Sequence, residues 1–260
     1  MLSRMQDIGW LRVVVREIDY VYKLRDSIVQ GRFLHKLVRE DDYIRRPKQS
    51  WYRSLHLVYK YASQYAPEYT DLQIEIQLRT ELQHIWATAV ETTWIILRKS
   101  LKSDEWPQQW LDFFAIVSSL FAIKEGCVPL KIHQWQDATV LKETLVNIET
   151  ELHVIDKLKS YSSAIKLIDT KLSKNKKWYE HYLLISNIKE NTVRVLWFKP
   201  WELWRATNTY LEWEQQFKTE DEWQVVLVSG ESLKTLKHAY PNYFWDTWKF
   251  IALLQSIILK

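Results

Sequence analysis

Between Leu72 and Arg79 polar and apolar residues alternate without a break. Leu72, Ile74, Ile76 and Leu78 take one face of a strand, and Gln73, Glu75, Gln77 and Arg79 take the other. A strand in a two-layer domain buries its apolar face against helices and leaves the second face free for chemistry. That free face carries a carboxylate, two amides and a guanidinium, spaced roughly 7 Å apart at two-residue intervals. A preceding strand, expected over about 51–61, puts Tyr52, Ser54 and His56 on one face, with Arg53, Leu55 and Leu57 on the other. Paired as neighbours, the two strands bring an aromatic ring, an imidazole and a carboxylate onto one surface. An ordinary amphipathic hairpin with a solvated polar face accounts for the same periodicity.

The elements around this pair follow in order. Residues 6–16 read as a buried strand with Val13, Val14 and Val15, and Asp7 at its start. There a carboxylate can reach a site at the sheet edge, or serve only as a turn or cap residue. Residues 17–30 have helical periodicity, with Ile18, Val21, Tyr22, Leu24 and Ile28 near one face. Gly31 fits its stop, and residues 32–40 return as a strand. The connector 41–50 is charged and carries Arg45, Arg46, Pro47 and Lys48. Helices are expected over 80–98 and 107–124, the second opening on Pro107. His84, Thr88 and Glu91 form a polar row on the first, without the H-E-x-x-H pattern of zinc peptidases. A long helical segment spans 138–171, and from about 180 the order ββαβα suggests a small α+β module. The fold class is therefore α/β (α+β), a mixed sheet flanked by helices.

Four linked stretches carry a resemblance. PK-x-x-x-YRSLH (Pro47–His56), EIQLRT (Glu75–Thr80) and QH-x-WATAVE (Gln83–Glu91) stand in this order, and MQDIGWLRVVV (Met5–Val15) looks like a D-I-x-G-x-R strand. Together they resemble the synthetase domain of the RelA/SpoT family, over about residues 1–125. A weaker likeness to longer single-domain members runs on to AYPNYF (239–244). The resemblance implies a nucleotidyltransferase-like synthetase domain at 1–125, a helical linker at 126–175 and a small module of unknown role at 176–260. It implies transfer of the β,γ-diphosphate of ATP to the ribose 3′-hydroxyl of GDP or GTP, giving AMP and (p)ppGpp.

The family's site residues carry over one by one. Asp7 and Glu75 would hold Mg2+, and Glu75 would also act as base or orienting group for the 3′-hydroxyl. Lys48 would bind the acceptor's phosphates and Tyr52 would stack on guanine. His56, Gln77 and Arg79 would hold phosphates and ribose. Arg12 would contact phosphate or pair with a nearby acid, and the two remain unseparated. The row His84–Thr88–Glu91 would line or brace the site. The family's further donor-site cations come from a segment ahead of the aspartate motif, and this chain begins six residues before Asp7. Two alternatives therefore stand: a catalytically inactive relative that binds a nucleotide or partner, and a toxin-like synthetase acting on tRNA ends. No P-loop motif occurs, so ATP is not expected to be held in that manner, and no His-Asp dipeptide occurs, so the family's hydrolase chemistry is not expected.

Composition sets outer bounds. At 260 residues, 47% hydrophobic and 26% charged, the chain can bury one large core or two small ones. Its net charge of +4 suits anionic small molecules and does not select tRNA. Cys127 is the single cysteine, which excludes an internal disulfide and any cysteine metal cluster. There is no long apolar run and no basic-then-apolar start, so no membrane partner and a cytoplasmic location are expected. Oligomeric state is not legible.

Two counts are abnormal: 4 glycines and 15 tryptophans, where average usage would give roughly 18 glycines. Trp10 and Trp51 stand where the resemblance places glycines, and Trp94, Trp106 and Trp197 sit at further such positions. Trp86 and Trp110 match tryptophans of the family. A turn glycine supplies φ > 0 or close approach, which an indole cannot. The hypothesis is that UGA codons read as glycine in the source are written here as tryptophan. A decayed or divergent gene is the other explanation, and UGG codons at positions 10 and 51 would end the recoding idea.

Overall fold

The computed structural model describes residues 9–100, 107–172, 179–187, 190, 192–217, 220, 222–231 and 243–259. Asp7, Trp106, most of AYPNYF and the short helix expected from Ser232 lie outside the described residues. The chain divides into two units, 1–86 with 114–141, and 87–113 with 142–260. These bounds do not coincide with breaks at 125 and 175. Residues 87–113 cluster with the second unit and 126–141 with the first.

In the first unit, β1 (Gly9–Val15), β2 (Lys36–Asp42), β3 (Leu55–Lys60) and β4 (Gln73–Thr80) form one sheet in the order β1-β4-β3-β2. β1 runs parallel to β4, and β3 runs antiparallel to both β4 and β2, so the sheet is mixed. Leu78 takes the core face as expected, but burial along β4 does not alternate, and Arg79 on the expected free face is fully buried. Leu78 is buried with Leu55, Leu57 and Tyr59 of β3, and Ile76 packs on the same cluster. Helix α1 (Ile18–Gln30) covers that face through Val21, with Ile18, Tyr22, Leu24 and Ile28 partly buried around it. Each fully buried leucine here is worth about 1.5–3 kcal/mol over leaving it in water. Between α1, β1 and β4 the packing leaves an apolar cavity of about 330 Å³, lined by Leu24, Ile28, Phe33 and Ile76 among others.

Two strand expectations need correction. β1 is an edge strand and only half buried, with Leu11 56% exposed, because Val13 and Val15 alone reach the cluster under α1. The second strand starts at Leu55 and not at Trp51, because Trp51 has φ 62 and turns the chain before it can pair.

Helices α2 (Glu81–Ser100) and α3 (Gln108–Lys124) follow β4 as expected, and Gly126 with φ 69 stops the second. The expected helix over 138–171 is two, α4 (Ala138–Leu152) and α5 (Val154–Leu172), parted at His153, whose φ is 50. In the second unit β5 (His181–Asn187), β6 (Thr192–Phe198) and β7 (Trp223–Ser229) form an antiparallel sheet in the order β6-β5-β7. Helix α6 (Leu203–Gln216) buries Ala206 and Tyr210 against Leu183, Ile185 and Phe198 of that sheet. Helix α7 (Tyr243–Ile258) packs against α5. Among the described residues no helix is long and apolar enough to cross a membrane.

Candidate active site

The face of the first sheet opposite Leu57 and Leu78 collects the polar residues of three strands. The register pairs Trp10 with Glu75 and Arg12 with Gln77 across β1–β4, and His56 with Gln77 across β3–β4. Residues paired in register point to the same side, so Trp10, Arg12, Glu75, Gln77 and His56 share this face.

Two hydrogen-bonded chains converge on one oxygen. From one side, the Tyr52 hydroxyl lies 3.2 Å from His56 Nε2, and His56 Nδ1 lies 3.3 Å from Glu75 Oε1. From the other, Arg12 Nε donates to Gln77 Oε1 at 3.2 Å, and Gln77 Nε2 donates to Glu75 Oε1 at 2.5 Å. On the Gln77 side the directions are forced. A guanidinium only donates, so Gln77 turns its carbonyl to Arg12 and its amino group to the carboxylate. A carboxylate only accepts, so His56 Nδ1 carries a proton and donates to Glu75, and the direction of the Tyr52–Nε2 contact follows the protonation of the ring. Both bonds fall on Oε1, and among the described residues Oε2 takes none.

Burial is the largest single influence on Glu75 and works to raise its pKa. The hydrogen bonds from His56 and Gln77, with the positive potential of His56 and Lys48, together outweigh it and hold the carboxyl below its ordinary 4.5. Glu75 is therefore ionised at neutral pH. The stability this contributes is present above 4.5 and is lost as pH falls through the lower folded value. An acid titration should show that loss for the wild-type sheet and a smaller one for Glu75→Gln, read from amide exchange in β3 and β4.

The connector that brings Lys48 and Tyr52 to this face is pinned at several points. Asp42 Oδ1 accepts from the backbone N–H groups of Ile44 and Arg45, at 3.1 and 3.0 Å, which opens the turn. Tyr43 N donates to Ser54 O at 2.9 Å. Trp51 N donates to Lys48 O at 2.8 Å, and Lys48 N to Tyr52 O at 3.2 Å. A tight turn closed by a left-handed residue results, and that residue is Trp51. From below, buried Arg53 donates through Nη1 to Ile44 O at 2.9 Å, and Ser118 Oγ on α3 donates to Trp51 O at 2.8 Å. The Trp51 indole lines a small cavity with Arg53, Gln83, Trp86, Phe121 and Glu125. Glu125 accepts there from Thr80, which points to the same side of β4 as Leu78. Trp51 thus lies toward the covered side of the sheet. The bulky residue beside Glu75 is Trp10, 41% exposed, with the Arg12 guanidinium 4.8 Å from its ring centre.

Of the residues singled out in the sequence, Glu75, Gln77, His56, Tyr52 and Arg12 form the network, and Lys48 adjoins it. Lys48 Nζ lies 5.4 Å from the Tyr52 ring centre. Asp7 lies outside the described residues. Arg79 is fully buried, with its guanidinium on His84 Nδ1, so in this conformation it reaches no open surface. Of the polar row on α2, Thr88 and Glu91 belong to the second unit and His84 to the first. Sequence reasoning missed Tyr43, whose ring stands 5.1 Å from His56 at 89°. Its only sequence signal is an aromatic residue in an otherwise charged connector.

The open Glu75 oxygen suits one Mg2+ ligand position. Magnesium takes one or two carboxylates and completes its shell with phosphate oxygens and water. No group of three or more His, Cys, Asp or Glu side chains suited to a metal occurs among the described residues.

Residues 1–99 match the family model described as the region found in RelA / SpoT proteins. The chain is 34% identical over 87 residues to GTP pyrophosphokinase YjbM of Bacillus subtilis (strain 168), covering 34% of this chain and 41% of that protein. It is 31% identical over 88 residues to GTP pyrophosphokinase YwaC of the same organism, with the same two coverages. The chain thus spans about two fifths of the length of the curated relatives it matches. Among solved structures, the small alarmone synthetase 1 from Bacillus subtilis bound to its product pppGpp shares 26% identity at a TM-score of 0.41. That match covers 48% of this chain and 61% of the other.

Proposed function

We propose, from the premise that residues 1–99 carry the region found in RelA / SpoT proteins, that the first unit is the core of a GTP pyrophosphokinase. Its reaction moves the β,γ-diphosphate of ATP to the 3′-hydroxyl of GDP or GTP. The bond from the 3′-oxygen to the β-phosphorus forms, the bond from that phosphorus to the AMP oxygen breaks, and the hydroxyl proton passes to solvent water. The observation that carries this reading is the convergence of two donor chains on Glu75 Oε1 with Oε2 open, beside Tyr52 and Lys48.

Each residue has a part. Tyr52 offers a ring for guanine, a contact worth about 1–3 kcal/mol by comparison with base stacking elsewhere. Lys48 offers a point charge to the acceptor's phosphates. His56 and Gln77 hold Glu75 in one orientation, and Arg12 holds Gln77. Glu75 has two candidate roles, base and orienting group, and its depressed pKa favours the second. A carboxylate this acidic is a poor proton acceptor near neutral pH, while diphosphate transfer through a loose transition state asks mainly for placement and charge. Glu75 Oε2 accepts from the 3′-hydroxyl or takes part of the coordination of Mg2+. When bound, that ion neutralises donor-phosphate charge. In this reading Asp7 is the second carboxylate and Arg79 supports the site from within. Regulation of the stringent response, with the second unit as its receiver, is part of the same proposal.

Incubation with Mg2+, γ-labelled ATP and GDP, GTP or tRNA tests it. Labelled guanosine tetra- or pentaphosphate is expected. Label on tRNA ends would move the acceptor to RNA, and binding of GDP without product would reduce the site to a nucleotide-binding one.

A further inference from the structure

We infer that Tyr43 is a positioning residue of the acceptor side, whose ring seats the Lys48 ammonium and walls the His56 imidazole. The inference rests on the acceptor-site reading above and adds a residue to it. Lys48 Nζ lies 4.4 Å from the Tyr43 ring centre, against 5.4 Å from that of Tyr52. Both are within cation–π range, and the nearer ring dominates. Tyr43 and Tyr52 both stand T-shaped to His56, with ring centres at 5.1 Å and 89° and at 5.7 Å and 76°. The two tyrosines lie 6.4 Å apart at 62°. His56 is thus held in plane by two rings while it donates to Glu75.

Tyr43 is fit for this because its own backbone cannot drift. Its N–H is bonded to Ser54 O, the residue before it caps the turn, and the residue after it is buried with its carbonyl held by Arg53. Lys48 is fixed at both its N–H and its carbonyl, so only its side chain moves. A base stacked on Tyr52 takes ring surface that Lys48 now shares. The ammonium then keeps its place only through Tyr43, which holds the charge where Glu75 feels it. Tyr43 acts on the acceptor through Lys48.

The first arm of the test needs no nucleotide. In wild type the Lys48 ε-methylene resonances should lie upfield from ring current, stay there in Tyr43→Phe, and return towards coil values in Tyr43→Leu, whose dispersed spectrum reports its fold. The second arm titrates GDP. Tyr43→Leu should weaken binding about 2- to 5-fold, Tyr43→Phe should restore it, and in a Lys48→Met background Tyr43→Leu should add nothing. Lys48 resonances that ignore Tyr43→Leu overturn the seat whatever GDP does. An equal loss in both backgrounds overturns the route through Lys48. The expected resonance shift with no GDP binding by any form sinks the acceptor reading, and with it the part of Tyr43 in binding.

Discussion

Replacing Glu75 with glutamine should lower diphosphate transfer by about 10²–10³-fold, the loss typical when one preorganised electrostatic group is removed from a reacting centre. The variant should fold. Its carbonyl oxygen can stay where Oε1 is and accept the same donors from His56 and Gln77. Its amino group then stands in place of Oε2, a donor where the hydroxyl or the ion needs an acceptor. Loss of the charge also removes the burial penalty that works against the ionised group. Rate and fold should therefore separate, with turnover gone, GDP affinity kept within a few-fold and amide protection of β3 and β4 intact. A Glu75→Gln rate within threefold of wild type would remove Glu75 from the chemistry. The pH profile is a second check. Because the folded pKa is below 4.5, the acid limb of turnover due to Glu75 falls below about pH 5. An acid limb centred near neutrality would mean that another group carries the proton.

How much of this site could be read from letters depends on how local each contact is. The two faces of β4 were legible because a strand covered on one side alternates with period two, and Ile74, Ile76 and Leu78 leave no other register for the core. The neighbourhood of His56 and Glu75 followed from pairing the next strand back, a short antiparallel step. Arg12 beside Gln77 was not legible in that way. β1 joins β4 in parallel across α1 and two intervening strands, and nothing in the local pattern sets that register. The same long-range pairing puts Trp10 next to Glu75. Tyr43 was missed because periodicity has no meaning in a connector, where position comes from single side-chain bonds such as Arg53 to Ile44. The split at His153, whose φ is 50, lacks any glycine or proline signal. The ββαβα order of the second unit was legible from its short apolar runs, since an antiparallel three-stranded sheet with one covering helix needs only local connections.

Position 51 offers the other large effect, and there a sign decides. Truncating Trp51 to alanine should cost about 3 kcal/mol, the lower end of the range for losing a buried aromatic side chain. Trp51 lines a small cavity with Arg53, Trp86 and Phe121 and is still partly open to water. In a regular segment glycine would be worse than alanine by a further 0.5–1 kcal/mol or so, from unfolded-state entropy. At φ 62 the order should reverse. A Cβ in left-handed backbone costs about 1–2 kcal/mol, so Trp51→Gly should be more stable than Trp51→Ala by about 1 kcal/mol net. Because the chain has two units, amide exchange in β3 and β4 is a better measure than a single unfolding midpoint. Trp10 is the internal control. It lies in a regular strand and is not among the positive-φ residues, so there alanine should beat glycine. If glycine wins at 51 and loses at 10, the turn at 51 is a glycine site on physical grounds, whichever codon the source gene carries. If alanine wins at both, the left-handed turn is not what holds Lys48 and Tyr52 together, and the geometry of the acceptor loop proposed above loses its hinge.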